Sequence, residues 1–414
     1  MYRRVPSLLL LSLAAACGGD DSGSKASFPT AMVQQAVSDY KTNVNASYAD
    51  VVAGAQALKV AVDAFVAAPS QASHDAAKAA WIAARLPFAP SEAFRFYDGP
   101  IDNPVNGPEP EINSWPLDEN YIDYTRDDPS AGIINDLVRV PVISAAAIDG
   151  ANAMGGEKNI SDGFHAIEFL LWGQDDLLPG MGAGKRPFTD YVVGAGGTAA
   201  NQARRGQYLQ LATDALLGHL TDVAAAWAPG VPGNYASTFG VSSSHGSDPG
   251  KDFIAALVRS IGAMAKDELS GQRMAVPYAS RDQEDEHSCF SDTTANDLFG
   301  DGTGLQNVWL GRYTTTAGVT LDGVGLDAIV NEADPALASK TTSDLAAAVA
   351  QLQVLRDLQA MNTPFDVILK QDDSSPGRTA MLAGITALRA VAADMEQVNS
   401  RFSLGVDLSK VAGK

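Results

Sequence analysis

The sequence has few cysteines and few basic residues, and each shortage narrows what the protein can be. Its 414 residues include only two cysteines, Cys17 and Cys289, so we expect no framework of disulfide bonds and stability must come from packing. Lys and Arg number 29 against 49 Asp and Glu, which gives a formal net charge of −20. That charge disfavours nucleic acids as partners and favours cations.

Signature motifs of several large enzyme classes are also missing. The sequence contains no HExxH zinc-protease pattern, no GxSxG elbow, no phosphate-binding glycine loop and no EF-hand spacing. Beyond the N-terminus, no stretch approaches the ~20 consecutive apolar residues that a membrane-spanning helix needs. The enzyme classes with strong motifs are therefore unsupported.

The N-terminus is typical of an exported lipoprotein. Arg3 and Arg4 precede an apolar run, and a run of three alanines precedes Cys17, although Ala14 stands where Leu is usual. We predict a signal peptide over residues 1–17 with lipid attached at Cys17; simple secretion after cleavage at a nearby small residue is the alternative. The polar, glycine-rich residues 18–28 would then be a flexible tether. The expected location is the cell envelope, lipid-anchored at the outer membrane and facing the periplasm or the surface.

Apolar residues recur at steps of three and four over most of the chain, which is the spacing of amphipathic helices. This spacing predicts a helix from Thr30 to about Ala67 and a second, capped by Ser70, that stops before Pro87. Further helices are predicted over residues 161–172, about 201–227 and at several places in the second half.

No run of alternating β-branched residues reaches strand length, so the predicted fold class is all-α. We expect two helical-bundle domains, residues 29–240 and 241–414, divided at a segment rich in Ser and Gly. Residues 86–130 are rich in Pro, Asn, Asp and aromatic residues and lack either period. They predict a long structured loop, with a solvated irregular insertion as the alternative.

The segment GFHAIEFLLW, from Gly163 to Trp172, has only two strongly polar residues, His165 and Glu168. Residues three apart lie on the same side of a helix, so the two side chains can converge on one point, with Trp172 one turn further along. A buried carboxylate needs a cation, a proton or a hydrogen-bond donor. The pair therefore predicts either a metal site or a His–Glu hydrogen bond that only fixes the helix.

A second polar segment, RDQEDEHSCFSD at residues 281–292, combines acidic side chains with a histidine and a cysteine. It could supply further metal ligands, or it could be a solvated acidic loop. Cys289 could instead be a small core residue. Metal sites of iron or zinc need more than two protein ligands, so additional candidates are required.

The segment Gly163-Phe-His165-Ala-Ile-Glu168 resembles the GxHxxE signature of the imelysin family, also called peptidase family M75. The segments INSWPLDENYIDY at residues 112–124, RDQEDEHSCFSD at 281–292 and NVWLGRY at 307–313 are similar to segments of its iron-regulated branch. The resemblance spans much of residues 30–405.

This resemblance implies two helical bundles, export from the cytoplasm, and a site where the bundles meet. That site would contain Gly163, His165 and Glu168, with His165 and Glu168 as metal ligands and Gly163 and Trp172 shaping it. Further ligand roles are a weaker inference for Asp118, Glu284, Glu286 and His287.

Two classes of function follow. The first is a lipid-anchored metal-binding protein, with iron preferred over zinc, that delivers iron to components of an uptake transporter. The second is an exported metallopeptidase with Glu168 as ligand or general base. HxxE supplies one histidine and does not fit the HExxH roles, so we favour binding. A scaffold for a polymer or protein partner is a third alternative.

Overall fold

A computed structural model describes residues 29–175, 182–241 and 248–408. The predicted signal peptide, the tether and the lipidation site at Cys17 lie outside the described residues. Within these ranges the regular secondary structure is almost entirely helical, which confirms the predicted all-α class. In chain order the α-helices are α1 (Thr30–Ala67), α2 (Gln71–Ser91), α3 (Glu109–Asn113), α4 (Glu119–Ile122), α5 (Ala145–Asp149), α6 (Gly163–Trp172), α7 (Gln202–Trp227), α8 (Tyr235–Thr238), α9 (Pro249–Ala263), α10 (Val276–Ser280), α11 (Thr294–Leu310), α12 (Leu326–Ala333), α13 (Pro335–Ala360), α14 (Phe365–Lys370) and α15 (Pro376–Phe402).

Other regular elements are short. A π-helical segment, Met264–Ala275, continues α9 directly into α10. Among the residues that the structure describes, 3₁₀ turns occur at Glu92–Phe94, Phe188–Tyr191 and Gln283–Asp285. In the described part of the chain, the strands β1 (Arg312–Thr314) and β2 (Thr320–Asp322) form an antiparallel hairpin with Tyr313 opposite Leu321. The prediction missed this hairpin because each strand has only three residues.

Helix α1 agrees with the apolar spacing of its sequence. Its first residue is Thr30 and its last is Ala67, as predicted. Every residue that the spacing assigns to one face is buried: Val33, Val37, Tyr40, Val44, Tyr48, Val51, Ala55, Leu58, Val62 and Phe65. Burying one such large apolar side chain contributes about 1.5–3 kcal/mol, so this face fixes α1 in the core.

Helix α2 differs from its prediction at one end. The Ser70 side chain accepts a hydrogen bond from the Ser73 backbone and caps the helix start, as expected. The predicted stop before Pro87 is wrong, because the helix continues through Pro87 to Ser91. Its last turn packs on α11, where a Cβ on Gly304 would lie 2.3 Å from the Pro90 carbonyl oxygen. This close packing offsets the hydrogen bonds that the prolines cannot make.

The long helices pack in two groups. Helix α1 packs against α2 and α7 in the first group. In the second group α13 packs against α11 and α15, and the π-helical segment packs against α11 and α15. Contacts between α2 and α11 join the groups, and α6 packs against α2 and α7. One buried apolar cluster includes residues of both groups. The division into domains 29–240 and 241–414 stays a prediction. No described helix is long and apolar enough to cross a membrane.

Residues 86–130 are predicted as a long structured loop. The structure confirms an ordered irregular stretch there, but it places residues 86–91 in α2 and continues the stretch to α6. Buried Asp123 accepts hydrogen bonds from the Arg186 Nη1 atom at 2.5 Å and from the Arg205 Nε atom at 2.6 Å. The Arg204 guanidinium donates to several backbone carbonyls of the stretch, including those of Ile133 and Ile134. The guanidinium groups of Arg204 and Arg205, which are on α7, hold the loop against that helix. Helix α3, within the loop, packs against α6.

Candidate functional site

Helix α6 is the element that carries the predicted site, and all ten of its residues are buried. It begins at Gly163, whose φ of +83° lies in the left-handed region. A Cβ at this position would lie 2.7 Å from the carbonyl oxygen of Ile112. Glycine is therefore required for the backbone of α3 to lie against the start of α6.

Hydrogen bonds from neighbouring helices hold α6 in place. The Trp81 indole N–H of α2 donates to the Phe164 carbonyl at 2.9 Å. The Tyr208 hydroxyl of α7 donates to the Ser161 carbonyl, just before the helix, at 2.5 Å. These bonds fix the position of α6 and its rotation about its own axis. The side chains of His165 and Glu168 can therefore point in only one direction.

His165 and Glu168 face the same side of α6 and contact each other. The His165 Nδ1 atom lies 2.9 Å from Glu168 Oε2, and the two side chains are 1% and 0% exposed. The other carboxylate oxygen, Oε1, accepts hydrogen bonds from the Ser291 backbone N–H at 2.9 Å and from its hydroxyl at 2.7 Å. Glu168 thus links α6 to the segment that precedes α11.

That segment also contributes His287, in an arrangement like that of His165. Its Nδ1 atom lies 2.9 Å from Oδ2 of Asp297, on the first turn of α11. The Ser288 hydroxyl donates to the same oxygen at 2.5 Å, and the Arg85 Nε atom donates to Oδ1 at 3.2 Å. His287 is 1% exposed, so its ring is fixed inside the protein.

The rings of His165 and His287 lie edge to face, with centroids 4.7 Å apart and an angle of 72° between their planes. The Nε2 atom of each ring is buried and has no hydrogen-bond partner among the described residues. Buried polar atoms are nearly always hydrogen-bonded, so each such exception requires an explanation. Two nitrogens of this kind on adjoining rings can serve as ligands to an ion.

A network of buried ion pairs surrounds the two histidines. Arg273, from the π-helical segment, lies 2.5 Å from Glu92, 2.8 Å from Asp301 and 3.0 Å from Glu268. Asn113 connects this group to the histidines, because its amide donates to Glu92 at 2.8 Å and its oxygen accepts from Arg85 at 2.5 Å.

Burial determines the charge states at the site. It raises the pKa of Glu168 to about 8, and the hydrogen bonds from Ser291 lower it only in part. Burial lowers the pKa of His165 well below its usual value and that of His287 to about 4. Burial alone would raise the pKa of Asp297, but Arg85 and then His287 hold it well below its usual range. Both imidazoles are therefore neutral at pH 7, as metal ligation requires, and Glu168 retains its proton at this pH until a bound cation displaces it.

A cleft of about 550 Å³ reaches the site from the surface. Its lining includes Asn113, Trp115, Glu268, Arg273 and His287. The Trp115 ring lies edge to face against the His287 ring, with centroids 5.5 Å apart. His287 is thus the histidine that lies beside the cleft, and His165 lies behind it.

The other predicted site residues lie elsewhere. Asp118 caps α4 by accepting a hydrogen bond from the Asn120 backbone, and Glu284 is exposed. Glu286 is buried. Its burial, followed by the charges of Asp366 and Asp292 rather than any charge at the histidines, raises its pKa well above the usual value. Their ligand roles stay predictions that this geometry does not favour.

Trp172, predicted to shape the site, packs its ring 5.4 Å from that of Trp81. It therefore supports α6 from the side of α2. Cys289 has a free, half-buried thiol.

The sequence patterns did not predict Asp297, Ser291 and Arg85, which orient or support the two histidines. A signal for Asp297 was present in the sequence, because Asp297 and Asp301 lie one turn apart and are the only charged residues of a glycine-rich helix. Over residues 29–175, 182–241 and 248–408, no three His, Cys, Asp or Glu side chains are arranged so that they could hold a metal ion. The protein atoms alone thus offer two unpartnered nitrogens and no complete ligand set.

Comparison with known proteins relates the chain to one family. The family model described as imelysin, for the peptidase M75 family, matches residues 44–395. The iron-regulated protein A of Synechococcus elongatus is 24% identical over 361 residues, which cover 85% of this chain and 81% of that protein.

A solved structure supports the fold. The crystal structure of a candidate iron-regulated protein A precursor from Parabacteroides distasonis superimposes with a TM-score of 0.66 at 19% sequence identity. The match covers 92% of this chain and 97% of that one. At this identity the similarity establishes a common fold and does not transfer a function.

Proposed function

The chain belongs to the imelysin family, and on that basis we propose that it is an exported, lipid-anchored protein that binds a metal ion, iron above all, in iron acquisition or homeostasis. The named relative in Synechococcus elongatus is an iron-regulated protein, which supports iron as the ion. Export and anchoring come from the N-terminal sequence, with Cys17 as the site of lipid attachment. Components of an iron-uptake transporter are the expected partners.

The observation that carries the metal proposal is the pair of unpartnered Nε2 atoms on His165 and His287. Each ring is fixed through its Nδ1 atom by a carboxylate, Glu168 or Asp297. Carboxylate–histidine pairs of this kind orient imidazoles that ligate metals. The residues therefore fit an ion that accepts nitrogen ligands, and both iron and zinc do so.

The long-range charge of the chain supports a cation. Close to the histidines, the buried carboxylates of Asp297, Glu92 and Asp301 are matched in number by the guanidinium groups of Arg85, Arg95 and Arg273. The strongly acidic composition of the whole chain, with 49 Asp and Glu against 29 Lys and Arg, attracts cations at longer range.

The purely structural alternative accounts for part of the geometry. A buried His165–Glu168 hydrogen bond is the contact that it predicts, and the contact is present. It does not account for two adjoining imidazoles whose outer nitrogens both lack partners. The peptidase alternative has less support, because His165 and Glu168 are 1% and 0% exposed and an extended peptide cannot reach them without rearrangement.

A growth experiment tests the function in cells. A strain lacking the protein is grown under iron limitation and complemented with wild type, with His165→Ala, or with His219→Ala as a matched control. His219 lies outside the site, on α7. We expect wild type and the control to restore radioactive iron accumulation and His165→Ala to fail at equal protein level. Equal iron accumulation with all three proteins would contradict the proposed role of the protein's metal site in iron acquisition.

Anchoring has its own test. Cells that express the wild type or Cys17→Ser are labelled with a fatty-acid analogue. Incorporation into wild type alone, with release of the variant from the membrane fraction, is the expected result. Label in neither protein would favour simple secretion.

A further inference from the structure

The two histidines belong to two similar units. In one unit the Glu168 carboxylate contacts His165 Nδ1 and the Ser291 hydroxyl. In the other, the Asp297 carboxylate contacts His287 Nδ1 and the Ser288 hydroxyl. The first carboxylate is on α6 and the second on α11, so each unit combines a helix with the segment between the π-helical segment and α11.

Hydrogen bonds to Asp297 determine the tautomer of His287. The carboxylate accepts from the Ser288 hydroxyl on Oδ2 and from the Arg85 Nε–H on Oδ1. Its ion pair with Arg85 keeps it ionised, so it can only accept hydrogen bonds. The His287 Nδ1 atom must therefore carry the proton, and its Nε2 atom presents a lone pair.

Both oxygens of Glu168 are already hydrogen-bonded. Its Oε1 atom accepts two hydrogen bonds from Ser291, and its Oε2 atom is bonded to His165. Direct ligation would have to use the remaining lone pair of Oε2, beside the His165 ring in a fully buried site. The carboxylate is better placed to orient the His165 ring than to bind an ion.

On the premise of the proposed function, that the site binds a metal, we propose that His287 and His165 bind the ion together through their Nε2 atoms. Asp297 and Glu168 are then positioning residues that do not touch the ion. This assigns the second ligand to the segment before α11 and differs from the sequence prediction, in which His165 and Glu168 are the ligand pair. No third ligating side chain joins them in the described residues, so water or a ligand arriving with the ion fills the remaining positions.

Electron spin-echo spectroscopy of the full chain with one equivalent of Cu²⁺ tests this assignment, because it counts bound imidazoles through their remote nitrogens. Wild type, Glu168→Gln and the control His219→Ala are expected to show two imidazoles. His165→Ala and His287→Ala are expected to show one. Thermal melts identify any variant that fails to fold, and His287→Gln then replaces His287→Ala.

Asp297→Asn tests the positioning role. The remote nitrogen is Nδ1, so its quadrupole coupling reports the hydrogen bond to Asp297. We expect this coupling to change and the affinity for Cu²⁺ to fall by roughly 10–100-fold, the usual effect of losing an orienting carboxylate. An unchanged coupling in the folded variant would overturn the role of Asp297.

The other outcomes separate the two proposals. A wild type with a single imidazole that persists in His287→Ala overturns the paired assignment and leaves the proposed function standing. A folded wild type that binds neither Cu²⁺ nor iron overturns both proposals.

Discussion

The imidazole rings of His165 and His287 lie 4.7 Å apart, although one residue is on α6 and the other precedes α11. Each ring is fixed by its own carboxylate and each carboxylate by its own serine. Since both rings are buried, neither can change direction without disturbing these bonds. The geometry is therefore set by the fold before any ion arrives, which is the condition for a selective site.

The close contact between α3 and α6 leads to a first prediction. Replacing Gly163 with Ala forces a φ of +83° on a residue with a side chain and places its Cβ 2.7 Å from the Ile112 oxygen. The strained backbone alone costs about 1–3 kcal/mol, so the free energy of unfolding in denaturant should fall by at least this amount.

Gly218→Ala is the matched control. Gly218 lies inside α7, and a Cβ there would meet nothing within 4 Å. We expect this change to stabilise the protein by about 0.5–1 kcal/mol, because alanine favours a helix over glycine. Equal effects of the two substitutions would contradict the requirement for glycine at position 163.

The anchoring of the long loop gives a second prediction. Asp123→Asn removes a fully buried carboxylate that contacts Arg186 and Arg205. The Arg205 guanidinium then loses this partner, and Arg186 keeps a longer contact with Asp190 at 3.7 Å. We expect a loss of about 3–5 kcal/mol in the free energy of unfolding, as for other broken buried ion pairs.

The surface pair of the same loop provides its control. Arg139 lies 2.5 Å from Asp136, but the arginine side chain is 88% exposed. Asp136→Asn should therefore leave the free energy of unfolding nearly unchanged. If Asp123→Asn cost no more than Asp136→Asn, the loop would not be held by its buried ion pairs.

The pH dependence of stability supplies a third prediction. Burial, followed by the charges of Asp366 and Asp175, raises the pKa of Asp292 to about 8. An unfolded aspartate has a pKa of about 3.9. Between these values the unfolded chain loses the proton that the folded chain retains, so Asp292 destabilises the fold increasingly as the pH rises.

Asp292→Asn should therefore raise the melting temperature at pH 8 and have little effect near pH 4. Asparagine tolerates the left-handed φ of 56° at this position better than most residues, so the change does not add strain. Melting curves of the variant and wild type at pH 4, 6 and 8 check this. A gain that is constant across the three values would show that the carboxyl group is not the cause.

Much of the fold could be predicted from the sequence, where local spacing decides the structure. The buried face of α1 is an example, because its apolar residues are neighbours only through the helix itself. The end of α2 is a counterexample, since Pro87 lies inside a helix that contacts with α11 sustain. The same contrast between local spacing and tertiary packing applies to the site. His165 and Glu168 are three residues apart, whereas the pairing of His287 with His165 depends on tertiary packing that no local pattern records.

The central claim is that the two histidines form a metal site, and the metal content of the purified protein tests it most directly. Wild type, His165→Ala, His287→Ala and the control His219→Ala are loaded in parallel with iron, zinc, copper and manganese, desalted and measured by mass spectrometry. We expect stoichiometric iron in wild type and in His219→Ala, and its loss from both site variants. Folded wild type that retains no metal, or iron that remains in both site variants, would contradict a metal site at the two histidines.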